Sequence, residues 1–258
     1  MSSVESFLPT RFGVSGVFFH GKGFPQAMGI PLMMAVGEEE KPTGGNMLYE
    51  LRTYTLKAGT LGDVVKAAST VSRDIRGDNF GKLEGYWFTE IGPLNQVLHM
   101  WSYNDYAERT KLRAELAKNP RWGSDYLPLI RPNLVRQDIR LLNAIKPPVA
   151  PASSGNVYEL RNYRAKPAGA AKQWLDAFTA ALPAREKYSK IVGLWQTEAG
   201  QPNEVCHIWA YPSLNARAEA RGNAMKDPAW QEILKKGPGL LDEMHSTIML
   251  PLPHSPLK

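Results

Sequence analysis

Tyr49-Glu50-Leu51-Arg52-Thr53-Tyr54 returns later in the chain as Tyr158-Glu159-Leu160-Arg161-Asn162-Tyr163, with five of six residues identical. Working outward, Gly85 to Tyr103 returns as Gly193 to Tyr211 with ten of nineteen positions identical, where average composition gives roughly one match by chance. Arg109, Arg113, Pro120 and Trp122 recur as Arg217, Arg221, Pro228 and Trp230. A self-match of this extent means a tandem duplication, and it governs every later step. The two copies span residues 47–143 and 157–251. A Pro-rich linker, 144–156, joins them, extended by its prolines and loosened by Ser153-Ser154-Gly155. Residues 1–46 match neither copy. They read as an irregular arm, as a transit peptide, or as an upstream extension of a chain beginning at Met47.

Within one copy, Leu48–Leu56 alternates and is rich in aromatic and β-branched residues, which predicts a strand. Leu61, Val64, Val65, Ala68 and Ile75 stand at helical spacing and predict an amphipathic helix over about 60–76. Its counterpart carries Trp174, Leu175, Phe178 and Leu182 and is expected to be interrupted at Pro183. Residues 83–90 and 96–103 form a hairpin around Ile91–Asn95. Asp105 caps a helix running towards Asn119, while Asn119-Pro120 and Asp227-Pro228 read as a cap followed by a first-turn proline. Residues 135–142 make the last strand. The order βαββαβ is the ferredoxin-like unit. A four-stranded sheet covered by helices on one face leaves the other bare. Two copies hide their bare faces together. The fold class is therefore α+β, two tandem ferredoxin-like units closed into a pseudo-dimeric α/β barrel.

Composition sets outer limits. The 258 residues carry a net charge of +6 and a pI of about 9.3, but the basic residues are scattered and no nucleic-acid motif is present. No apolar run reaches the roughly 18 residues that span a bilayer. The single cysteine, Cys206, excludes an intrachain disulfide and points to a reducing, cytoplasmic setting. Its neighbour His207 would face the other side of a strand, so Cys206 reads as a packing thiol. Metal-ligand spacings, Gly-rich nucleotide loops and a serine elbow are missing, and no cofactor is implied.

The strings LYELRTYTLKAG, GYWFTEIGPLNQVLHMWSY and NPRW resemble the NIPSNAP family, strongly over 47–143 and with the same landmarks over 157–250. That family is similar to the wider dimeric α/β-barrel group. The resemblance implies paired ferredoxin-like units around a central pocket. It implies no single activity: eukaryotic members are associated with mitochondria and partner recruitment, and related barrels include cofactor-free oxygenases, isomerases and dehydratases, some binding haem.

Strand alternation assigns candidate residues to faces. If the helices cover Leu51, Leu98 and Met100, then Glu50, Arg52, Tyr54, His99 and Trp101 point into the barrel, as do Glu159, Arg161, Tyr163, His207 and Trp209. His99 and His207 are the acid–base candidates, because imidazole titrates nearest neutrality. Tyr54 and Tyr163 would donate a proton, and Glu50 and Glu159 complete the catalytic set. Arg52 and Arg161 would clamp an anion. Trp87, Trp101, Trp195 and Trp209 would stack on an aromatic ring, with His245 making the second copy asymmetric. The alternative is a satisfied structural network of Glu, Arg and His. On the functional side the expectation is a cofactor-independent lyase or isomerase of aromatic-compound catabolism. Its partner would be a small aromatic ligand; self-association into a homo-oligomer is compatible with the sequence. A non-enzymatic adaptor and a cofactor-free monooxygenase are the alternatives. A ligand-sized cavity favours the enzyme, and a barrel filled with Trp and Tyr favours the scaffold.

Overall fold

The structure, a computed structural model, describes residues 47–258, and the readings of residues 1–46 lie outside it. The first half runs β1 (Leu48–Leu56), α1 (Leu61–Ala67), a wide π turn (Ala68–Ser72), α2 (Arg73–Arg76), β2 (Lys82–Ile91), β3 (Gln96–Tyr103), α3 (Tyr106–Lys118), α4 (Leu127–Ile130) and β4 (Leu134–Lys146). The second half runs β5 (Val157–Ala165), α5 (Ala170–Arg185), β6 (Ile191–Ala199), β7 (Glu204–Tyr211), α6 (Leu214–Ala224), α7 (Pro228–Leu240) and β8 (Leu241–Pro251). The strands close into one antiparallel barrel in the order β1-β3-β2-β8-β5-β7-β6-β4. Each half thus contributes a ferredoxin-like sheet, and the seams β2–β8 and β4–β6 join them.

Local signals were legible. Asp105 Oδ1 accepts from the Glu108 N–H at 2.7 Å, and Asp227 Oδ1 accepts from the Ala229 N–H at 2.9 Å ahead of Pro228. Asn119, just past the end of α3, caps the next helical stretch in the same way, its side chain accepting from the Arg121 N–H at 3.0 Å ahead of Pro120. Gly92 and Gly200 take φ of 118° and 103°, and Asn95 and Asn203 take 54° and 61°. This left-handed backbone explains why these four positions recur in the two hairpin turns. Pro183 does not interrupt α5, which continues to Arg185. Pro183 is exposed near the helix end, where losing one N–H strands little.

The face assignment was inverted. Tyr49, Leu51, Leu98, Met100, Leu160 and Ile208 point into the barrel, where they pack with Trp87, Trp195, Tyr158 and Met249 from both halves. Glu50, Arg52, Tyr54, His99 and Trp101 point outward beneath the helices, and Glu159, Arg161, Tyr163, His207 and Trp209 do the same. The physical reason is the supply of counter-charges. Helix side chains do not enter the closed barrel, whereas on its outer face Arg109 and Arg113 of α3, and Arg217 and Arg221 of α6, reach down to the sheet. A carboxylate is buried stably only where such partners reach it.

Trp87 and Trp195 do face the barrel interior, both fully buried. Each indole folds back over Gly85 or Gly193, and a methyl group there would collide with the ring. Both glycines sit at a break in strand register. The recurring Gly-x-Trp is therefore a packing device. Leu257 of the C-terminal segment joins the same interior cluster. The segment is tied to β2 by Leu252 N–H to Tyr86 O, 2.9 Å, and Tyr86 N–H to Ser255 Oγ, 2.9 Å.

Candidate functional sites between sheet and helices

Each half encloses a cavity between its strands and its helices, about 350 Å³ in the first and about 330 Å³ in the second. Arg52, Tyr54, His99 and Trp101 line the first; Tyr163, His207 and Trp209 line the second. The strands therefore do bring most of the anticipated residues together, in two sites rather than one central one. Trp87 and Trp195 lie apart in the barrel core. His245 is exposed at one mouth of the barrel, 3.3 Å from Glu243. In strand register it stands where Asp138 stands in the first half, opposite Asn162 as Asp138 is opposite Thr53. A larger, open groove of about 790 Å³ beside the linker belongs to neither set.

An ion network underlies each cavity. Glu50, fully buried, faces Arg52 Nε at 3.3 Å, Arg113 Nη1 at 3.5 Å, and the Arg109 side chain. Glu159, equally buried, accepts from Arg161 Nη1 and Arg217 Nη2, both at 2.7 Å, and from Ser246 Oγ at 2.7 Å. Burial opposes ionisation of Glu159, but the Arg217 and Arg161 guanidinium groups and the Ser246 hydroxyl outweigh it, holding the carboxyl down to about 2. Glu159 thus works as a permanent counter-ion and is not free to exchange protons near neutrality. Ser246 has no equivalent in the first half, where register places Ile139.

The histidines are arranged alike. Trp101 Nε1 donates to His99 Nδ1 at 2.6 Å, and Trp209 Nε1 donates to His207 Nδ1 at 2.7 Å. With Nδ1 accepting, the proton of each neutral ring sits on Nε2. Burial, reinforced by Arg52, Arg76 and Arg113, pushes His99 well below its ordinary range; burial and Arg161 push His207 down to about 3. Both rings are neutral donors at physiological pH, and neither presents an open lone pair. The same geometry does not suit an axial ligand to haem iron: coordination through Nε2 would move the proton to Nδ1, against the indole N–H. Among the described residues there is no cluster of three or more His, Cys, Asp or Glu side chains placed for a metal.

Sequence reasoning missed the most informative residues. Arg76, 4% exposed, lies with Cζ 3.2 Å from the Trp101 ring centre and donates to Phe80 O at 2.9 Å and Tyr103 Oη at 3.2 Å. Its Nε has no partner, and no carboxylate lies within ion-pair distance of it among the described residues. Arg185 repeats this over Trp209, at 4.5 Å, bonded to Ser189 and Tyr211. The recurrence of both arginines at the ends of the two helical stretches was a readable signal. Tyr86 and Tyr126 were also missed. They complete a trio of buried phenols with Tyr54, all kept neutral by burial, Tyr126 being raised to about 12. The second cavity has Leu194 where the first has Tyr86, as their shared register opposite the histidines shows. It has Met244 where the first has Gln137, and α5 adds Trp174 and Phe178. One cavity is phenolic, the other apolar.

A duplicated ferredoxin-like fold, closed into a barrel with a cavity under each helical layer, defines a single-chain member of the dimeric α/β-barrel class. The NIPSNAP family model matches residues 49–147 and again 158–256. Human Protein NipSnap homolog 3A is 31% identical, the match covering 82% of this chain and 86% of the relative, and human Protein NipSnap homolog 2 is 32% identical, covering 82% and 75%. The chain belongs to the NIPSNAP family. Among solved structures, a Fusobacterium nucleatum protein provisionally described as a monooxygenase superposes with a TM-score of 0.63 at 11% identity, covering 84% of this chain and all of that one. An anthrone oxidase-like protein does so with 0.59 at 11% identity, covering 81% and 92%. At such identities the likeness establishes the fold. Among the described residues no helix is long and apolar enough to cross a membrane.

Proposed function

We propose that the protein is a cytoplasmic small-molecule-binding barrel that takes a flat, conjugated organic anion, a phenolate or enolate, into the first-half cavity, and acts on it without a cofactor by stabilising its negative charge. The observation that carries this reading is Arg76, a buried guanidinium that, among the described residues, has an unpartnered Nε and no carboxylate beside it. Three guanidinium groups, from Arg52, Arg109 and Arg113, contact the single carboxylate of Glu50, and Arg76 adds a fourth positive charge outside ion-pair distance of it. A buried excess of positive charge is stabilised by an anionic ligand. Tyr54, Tyr86 and His99 add neutral donors, and Trp101 and Trp122 supply flat walls. Preorganised donors of this kind stabilise an enolate whether it arises in a proton-shift reaction, as in a lyase or isomerase, or is consumed by oxygen, as in a cofactor-free monooxygenase. Because both histidine lone pairs are engaged or protonated, His99 acts as an electrophilic donor, and the substrate arrives ionised or loses its proton to water.

The test is a titration of 4-nitrophenol, whose phenolate absorbs in the visible, against the full chain. Binding should lower its apparent pKa, and Arg76→Gln should weaken binding about 10- to 100-fold, the range for a charge-assisted hydrogen bond. An unchanged pKa on binding, or equal affinity in Arg76→Gln, rejects the reading. Oxygen uptake in the same samples separates the oxygenase from the lyase or isomerase. A second reading, an adaptor without turnover, is favoured by the barrel itself, packed by Trp87, Trp195, Tyr49 and Tyr158 into a rigid scaffold.

A further inference from the structure

The second-half cavity differs from the first in what it asks of a ligand. Trp174, Phe178, Trp230, Ile233 and Met244 give it apolar walls. His207 forms part of its lining, 2% exposed, with its ring stacked 5.9 Å from Trp174 and tilted against Phe178 at 5.1 Å. Its Nδ1 is occupied by Trp209, while its Nε2 has no partner among the described residues. A buried N–H left unbonded costs on the order of 1–3 kcal/mol, and native structures rarely leave one so. Arg221 is drawn off towards Glu159, at 3.8 Å, and Arg161 is held by Glu159 and Tyr163. Arg185, which also lines the cavity, donates to Ser189 Oγ and Tyr211 Oη, so the buried donor left without a partner in this lining is His207 Nε2–H, set among aromatic walls.

We propose that this cavity is a second binding site, for an uncharged ring compound bearing a carbonyl oxygen, which accepts from His207 Nε2 while its rings stack among Trp174, Phe178 and Trp230. The site is separate from the anion site of the first half and stands whether or not that reading holds.

The probes are 1-tetralone, a two-ring ketone, and tetralin, the same skeleton without the oxygen. The full chain is titrated with each while tryptophan fluorescence is followed. The ketone should bind at least about fivefold tighter, as one recovered hydrogen bond predicts, and should shift the His207 Nε2–H resonance in a long-range nitrogen–proton NMR spectrum. Leu234→Trp, at the half-exposed rim, should abolish the binding of both. A ratio below about fivefold, or ketone binding that leaves the His207 signal unmoved, overturns the proposal, as does full affinity in Leu234→Trp. The first two readouts need only the unmodified protein, so a poorly folding variant does not protect the idea.

Discussion

Consider Glu159→Gln. The carboxylate is fully buried, and its replacement leaves Arg161 and Arg217 without their counter-ion beneath the sheet while keeping side-chain volume. The structure allows the cost to be worked in two ways. Holding the carboxyl at about 2 rather than its ordinary 4.5 corresponds to about 3 kcal/mol of preference for the ionised form, at about 1.4 kcal/mol per pH unit. Removing one member of a buried ion pair costs about 3–5 kcal/mol by independent precedent. The two agree, so urea unfolding at pH 7 should show Glu159→Gln destabilised by about 3 kcal/mol. The pH dependence follows with a definite sign. A carboxyl whose folded pKa is depressed contributes stability that is complete above the unfolded value and lost as pH falls through the folded one. The natural protein should therefore lose this contribution between about pH 5 and pH 2, and the glutamine variant should lack that component of the acid slope. If the variant costs less than about 1 kcal/mol, the range of an exposed pair, or if both proteins show the same loss over that interval, the ion network is not what holds this sheet to its helices.

Gly193→Ala should lower stability by about 1–3 kcal/mol, because the added methyl meets the buried Trp195 ring; thermal unfolding with Trp195 fluorescence checks it, and Gly85→Ala should behave alike against Trp87. The His207 ring, held neutral down to about 3, should show no change in its carbon-bound proton shifts between pH 8 and pH 5. Since the unfolded chain protonates at a higher pH than the buried ring, His207 should make the protein progressively less stable as pH falls below about 6.5. Leu257→Ala should cost about 2–5 kcal/mol if the C-terminal segment closes the barrel core, read from urea midpoints.

The fold was open to reading because duplication reports it twice. The hexapeptide fixed β1 and β5, the two Asp caps fixed α3 and α7, and Gly92 and Asn95 fixed the hairpin. The burial of a half-bare sheet then required closure. The site was legible only as a set of residues. Glu50, Arg52, Tyr54 and His99 do share a face, but alternation has two solutions, and it is the helices that choose between them. Arg109 and Arg113 recur with their spacing in the second copy, and that i, i+4 pair of cations was the clue that the carboxylate lies under the helices. Arg76 escaped because an arginine at a helix end looks like an ordinary dipole partner, even with Arg185 repeating it in the second half. Its isolation from any carboxylate is a property of three dimensions.

The seams β2–β8 and β4–β6 also bear on how such a protein can change. In an assembly of two identical chains every substitution is written into both sites at once, so a gain in one place is a risk in the other. Here Tyr86 and Leu194, or Gln137 and Met244, occupy matching places under separate genetic control. The chain can therefore keep one binding specificity intact while its sister drifts towards a different chemistry.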